Sequence, residues 1–201
     1  MVLPIFPLNG AVLFPGTSLP LNIFEDRYIK MVNYALAKKR HIGMIQTDEN
    51  SKLYNIGCLG KIHSFNETED GRYLVILNGV SRFKIIKEVV TNKLYRQCHI
   101  SIEDYSSDLE NNNEEIKFSD LELVFKNLKS LFKKQGYIIN WKDLAKQSLD
   151  QTINTLSMAS PFTLEEKQIL LETKDLKLRK EKLEEILKTY IVDEFNNSTI
   201  Q

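Results

Sequence analysis

Apolar residues come in short runs through the first half of the chain and in a helical rhythm through the second. "VLPIF", "AVLF" and "SLPLNIF" read as three short strands. They are separated by Asn9-Gly10 and Pro15-Gly16, dipeptides that favour turns because Gly and Asn accept positive φ. The period then changes. "FEDRYIKMVNYALAKKR" sets Phe24, Tyr28, Met31, Val32, Ala35 and Leu36 on one helical stripe, with Glu25 and Asp26 at its start and Lys38, Lys39 and Arg40 at its end. "HIGMIQT" reads as a buried strand. "GCLGKIHSFNE" and "RYLVILNGV" flank the turn signal Glu69-Asp70-Gly71, and "SRFKIIKEVV" and "YRQCHISIEDY" form a second pair around Thr91-Asn92-Lys93. This pattern, strands with one early helix, predicts a small, partly closed β-barrel or rolled sheet. It also accounts for Pro4, Pro7, Pro15 and Pro20. A proline donates no ladder hydrogen bond, and barrel corners and strand ends are where none is needed.

Residues 106–115, "SSDLENNNEE", are polar and read as a linker. Beyond them "FSDLELVFKNLKSLFKKQG" places Leu121, Val124, Phe125, Leu128, Leu131 and Phe132 on one face, and Gly136 at a helix stop. Two short helices are expected near 141–147 and 150–158. Thr163 and Glu166 have the spacing of a capping box. Asp175 precedes a last helix whose apolar stripe is Leu183, Ile186, Leu187, Tyr190 and Ile191. The charges of "LKLRKEKLEE" read as its solvated face. The predicted domains are a β subdomain, 1–105, and a helical bundle, 116–195.

Charge changes this picture little. Residues 1–105 carry 13 basic and 10 acidic side chains and the remainder 14 and 17, which argues against a DNA or anionic-membrane surface. No run approaches the roughly 18 apolar residues of a membrane span. Cys58 and Cys98 form no disulfide framework, so a reducing, cytoplasmic location is expected.

Candidate chemistry is sparse. The chain has no phosphate-loop spacing and no G-x-S-x-G elbow, and His41, His63 and His99 fall in no metal-binding pattern. No cofactor, metal or catalytic residue is expected. Arg82 stands where a strand should alternate. It either points into the barrel and pairs with a carboxylate such as Glu25, or it binds a ligand, the buried pair being favoured. Phe14 also has two readings: a corner residue filling the core beside Phe24 or Tyr28, or an anchor at an edge that prolines keep open for an extended polypeptide.

"LPIFPLNGAVLFPGTSLPLNIFEDRYIKMVNYAL", "IGCLGKI", "DGRYLVILNGVSRFKI" and Tyr95-Arg96 together resemble the N-terminal substrate-binding domain of the Lon protease family. The blocks are similar, in order and spacing, to small stand-alone bacterial proteins made of that domain alone. "NWKDLAKQSLDQTINTLSMASPFTLEEKQILLE" resembles their helical continuation. The resemblance implies an α+β fold, a PUA-like β pseudo-barrel followed by a helical bundle. It implies a role in recognising protein substrates. The chain ends at Gln201 without the ATPase and Ser–Lys protease modules of full-length Lon, so neither activity is expected.

The function expected is therefore a non-catalytic module that binds unfolded or exposed apolar polypeptide. It could serve as an adaptor for a separate protease or as a holdase, through a groove between barrel and helices. The candidate residues are Phe14, Glu25, Tyr28 and Arg82. The alternative is an RNA-associated PUA-like module, which the near-neutral charge disfavours.

Overall fold

In the computed structural model, which describes residues 1–110, 117–138, 140–144 and 146–198 (backbone only for 192–198), the chain forms two compact units, Met1–Asn111 and Asn112–Gln201. The fold class is α+β.

The first unit is a six-stranded sheet: β1 Val2–Pro7, β2 Ser18–Ile23, β3 His41–Ile45, β4 Ile56–Glu67, β5 Tyr73–Glu88 and β6 Arg96–Ser101, with α1 Asp26–Leu36 before β3. Its order is β2-β5-β4-β3-β1-β6, and an added β5–β6 pairing closes it into a pseudo-barrel. β1 and β3 run parallel, and the chain between them passes through β2 and α1; the other pairs are antiparallel. β5 makes closure possible because it is long. Its first half pairs with β2 and its second half with β6, while β4 follows it for most of its length. The two strands expected on either side of the Val80–Ser81 junction are thus one strand. Leu59 pairs with Ser81 and Gly60 with Gly79, so Val80 is an extra residue that bends β5 as a bulge does.

The prolines sit where the ladder does not need them. Pro4 lies opposite Gln97 of β6, before the pairing with β3 begins at Ile5. Pro20 lies on β2, the strand paired on one side only. "AVLF" is not a strand. Val12, Leu13, Phe14 and Pro15 are buried in an irregular segment, where the Phe14 N–H and carbonyl are both bonded locally to Thr17.

α1 buries Tyr28, Met31, Val32 and Ala35, as its stripe predicts. Phe24 departs from that stripe; it precedes the helix and is 65% exposed. One core cluster gathers α1 with Leu13, Ile42, Ile62 and Leu77. A second holds Leu3, Ile5, Leu59, Phe83 and Cys98. The segment read as the start of a linker is structured up to Leu109: a 3₁₀ turn, Glu103–Leu109, packs on β5 and buries Tyr105. The rest of that stretch, 111–115, lies outside the described residues.

The second unit comprises α2 Glu122–Lys134, α3 Trp141–Leu144, α4 Leu149–Ala159, α5 Leu164–Glu172 and α6 Leu176–Ser198. Gly136 follows α2 at φ 73°, a conformation a side chain would strain. The Thr163–Glu166 capping box forms with both bonds, at 3.2 and 2.8 Å, and the Asp175 carboxylate accepts the Leu178 N–H at 2.8 Å. "LKLRKEKLEE" is not wholly a solvated face. Arg179 is buried and donates to the Leu170 carbonyl at 2.9 Å, to the Thr173 carbonyl at 3.3 Å and to Asn154 at 2.5 Å. The carbonyl-rich end of α5 suits a cation.

Candidate functional site

Strand alternation in β2 and β5 divides residues between two faces. Leu21, Ile23, Tyr73, Val75 and Leu77 face the core, and their alternates face out. The register sets the outer residues in rows. Pro20, Ile76 and Ser64 form one row across β2, β5 and β4; Asn22, Leu74 and Asn66 form the next. Leu74 is 45% exposed and Ile76 38%. Phe65, 37% exposed, lies opposite Val75 and so on the inner side at this end of the sheet, where its ring sits edge-on to Tyr73 with centroids 4.7 Å apart. Pro20, Leu74 and Ile76 line a shallow apolar cleft of about 410 Å³ that borders Phe65 at the strand edge. Exposed aliphatic side chains fixed in adjacent sheet rows suit contact with another apolar chain.

The edge of this face is β2, and it is blunted. The Gly79 N–H donates to the Thr17 carbonyl at 2.8 Å, which fixes the phase of the antiparallel ladder. By that phase Leu19, Leu21 and Ile23 bond to β5, whereas Ser18, Pro20 and Asn22 turn their backbone to the free side. Pro20 therefore removes the middle donor from the open edge, a device that discourages strand addition. Side chains rather than backbone are what this face offers.

The four residues singled out from sequence do not form one site. Phe14 has no exposed surface. It is not available as an anchor, and Phe24, being exposed, is not its core neighbour. Tyr28 is buried; its ring packs edge-on against Phe6 at 4.4 Å, and the Arg27 guanidinium lies 4.5 Å from its centroid. Burial raises its phenol above the ordinary value. Glu25 does not pair with Arg82. It pairs with Arg27 at 2.7 Å, both about half exposed.

Arg82 is buried, and its carboxylate is Asp108. Nε and Nη2 reach the two carboxylate oxygens at 2.9 and 2.7 Å, and the Arg82 backbone N–H donates to the same group at 2.8 Å. The Tyr105 ring covers the guanidinium at 4.3 Å. Arg82 thus fastens the 3₁₀ turn to β5 and has no face left for a ligand. The partner was missed because Asp108 lies in a stretch whose composition reads as a linker.

No nucleophile or metal centre is apparent in the described residues. No group of three or more His, Cys, Asp or Glu side chains is placed to hold a metal ion. Cys58 and Cys98 are buried, and burial pushes the Cys98 thiol up to about 11, away from thiolate chemistry. His41 is shifted down by burial and by the nearby Lys61 and Lys39, which favours its neutral form. Among the described residues no helix is long and apolar enough to cross a membrane.

A pseudo-barrel closed by one long strand, followed by helices, defines the class, and comparison with known proteins gives the family. The profile of the ATP-dependent protease La (LON) substrate-binding domain matches residues 2–189, and the chain belongs to that family. It is 30% identical over 187 residues to a Lon protease of Flavobacterium johnsoniae, covering 88% of this chain and 22% of that protein. It is 27% identical over 201 residues to Lon protease 2 of Myxococcus xanthus, covering 92% of this chain and 23% of the relative. The chain thus spans under a quarter of the length of these relatives. Its fold resembles that of the Lon N-terminal domain protein from Xanthomonas campestris, with a TM-score of 0.68, 21% identity and coverage of 94% of this chain and 98% of that one. The N-terminal domain of Mycobacterium avium complex Lon protease matches with a TM-score of 0.67 at 16% identity, over 94% and 98% of the two chains.

Proposed function

We propose that this protein is a non-catalytic, cytoplasmic module that binds exposed apolar segments of unfolded polypeptide. It would act as an adaptor or holdase in protein quality control, and the outer face of β2, β5 and β4 is its contact surface. The apolar cleft over Leu74 and Ile76 carries this reading, and membership of a substrate-binding domain family supports it. Leu74 and Ile76 project from the middle of a ladder, so their positions are fixed before a client arrives. That limits the entropy lost on binding.

Leu74→Asp and Ile76→Asp test the surface. Each should weaken capture of reduced, carboxymethylated α-lactalbumin by about tenfold, as for an anchor worth roughly 1–2 kcal/mol. Both side chains face out, so the loss of stability should stay near 1 kcal/mol or below, as for exposed strand positions. Fluorescence anisotropy and thermal melts on the same samples give both numbers. Unchanged capture by both variants would move the surface elsewhere.

The non-catalytic part of the reading has its own check. The purified protein should hydrolyse neither ATP nor casein. Turnover that follows the protein through a second, orthogonal purification would overturn it.

A further inference from the structure

The apolar cleft is not electrically symmetric. At one end the next outward row is Ser18, Asn78 and Lys61, the first two joined by a 2.9 Å hydrogen bond and Lys61 exposed. At the other end, beyond Asn22, Leu74 and Asn66, the β4–β5 hairpin turns over through Glu67, Glu69 and Asp70. A polar concavity at that hairpin shares Asn22, Asn66 and Leu74 with the apolar cleft, so the two are one continuous surface. Asp70 is already committed. It accepts the Thr68 hydroxyl, which lowers its pKa, and it pairs with Arg72 at 2.9 Å. Glu67 and Glu69 are exposed and in no ion pair among the described residues. The cleft therefore runs from a lysine, across aliphatic side chains, to a hairpin rim whose concavity is lined by Glu69 of the turn and by Glu67, which reaches it from the Tyr73 side of the sheet.

Building on the polypeptide-binding reading, we propose that this cleft selects extended segments whose apolar residues are flanked on one side by lysine or arginine. The cation would lie at the hairpin rim, in the concavity that Glu67 and Glu69 line, and the opposite flank, neutral or acidic, would lie towards Lys61. Neighbouring outward rows are two residues apart, about 7 Å along a strand. A lysine two to four residues beyond the last apolar anchor therefore reaches the carboxylates while the anchor sits on Leu74. With Pro20 interrupting the edge, the segment is held by side chains. Selection then rests on apolar content and flanking charge rather than on a fixed motif.

The test uses the full chain and three fluorescein-labelled decapeptides. They share one Leu/Val/Ser core and end in two lysines, two glutamates or two serines. At low ionic strength the lysine peptide should bind about three- to tenfold more tightly than the glutamate peptide, and the ratio should shrink in high salt, as for exposed ion pairs. The double variant Glu67→Lys/Glu69→Lys should invert the order of the lysine and glutamate peptides, with serine-peptide binding and the melting temperature measured on the same samples. Equal affinities for the lysine and glutamate peptides, with the serine peptide still bound, would overturn charge selection and leave the binding function standing. Failure of all three to bind would overturn both. Self-association of the chain that Leu74→Asp abolishes and peptides compete with would make a second copy the occupant, and this proposal would fall.

Discussion

Replacing Arg82 with alanine is expected to remove about 3–5 kcal/mol of stability, the usual result of deleting one partner of a buried ion pair. The Arg82 side chain is 2% exposed and that of Asp108 8%. With the guanidinium gone, Asp108 keeps one backbone N–H and loses the fork that neutralises it. Its charge then stays in low dielectric, or the 3₁₀ turn Glu103–Leu109 peels from β5 to hydrate it. Either route also unpacks Tyr105 from the guanidinium. The double variant Arg82→Met/Asp108→Leu separates the charge from the packing. It should be clearly more stable than Arg82→Ala, because no unpaired ion is left and apolar replacements of buried pairs are often near neutral. Urea titrations of the three proteins decide the matter. A single variant with an unchanged midpoint would mean that Arg82 is hydrated and the turn already loose.

Asp108 also shows where sequence reading stops. Its partner lies 26 positions away, and nothing local distinguishes it from the other polar residues of "SSDLENNNEE". The helices were legible because each buries a stripe set by its own period, and α1 and α2 follow theirs closely. Strands were legible where alternation or a turn dipeptide bounds them. The segment "AVLF" misled because burial and strand are different properties. Val12, Leu13 and Phe14 are buried outside any strand, and the backbone of Phe14 meets Thr17. β5 misled in the opposite sense: "RYLVILNGV" and "SRFKIIKEVV" read as two strands, yet they form one that continues through a bulge. The cleft was hidden by the run "YLVILNGV", where Leu74 and Ile76 look no different from Tyr73, Val75 and Leu77. Which of the two alternating sets is covered is decided by the elements packed on the sheet, and a single sequence does not carry that. Arg179 was hidden likewise, since its acceptors are carbonyls and an amide at a helix end rather than a carboxylate at helical spacing.

Phe14→Ser should lower stability by about 3–5 kcal/mol or somewhat more: a buried aromatic is lost and a hydroxyl is placed where it was. The site has little room to adapt, because the backbone around Phe14 is fixed from two directions. The Thr17 hydroxyl donates to the Phe14 carbonyl at 2.7 Å and accepts from the Phe14 N–H at 3.2 Å. The same carbonyl lies 2.0 Å from where a Cβ on Gly79 would stand, so the corner is pressed against β5 at the one residue that lacks a side chain. The Gly16 N–H and the Gly79 carbonyl, 2.9 Å apart, close the turn. A ring removed from so constrained a corner leaves a void that the backbone cannot move to fill, which is the costly case of a large-to-small change. Capture of unfolded polypeptide, corrected for the fraction folded, should be unimpaired, since Leu74 and Ile76 sit on the opposite face of the sheet from the core. Measuring the denaturation midpoint and the corrected binding on this one variant separates the two roles of the proline-rich opening. Weaker corrected binding with an unchanged midpoint would return Phe14 to the client surface. A lowered midpoint with full binding makes the opening segment the corner that holds β2 against β5, and so the support of the cleft rather than part of it.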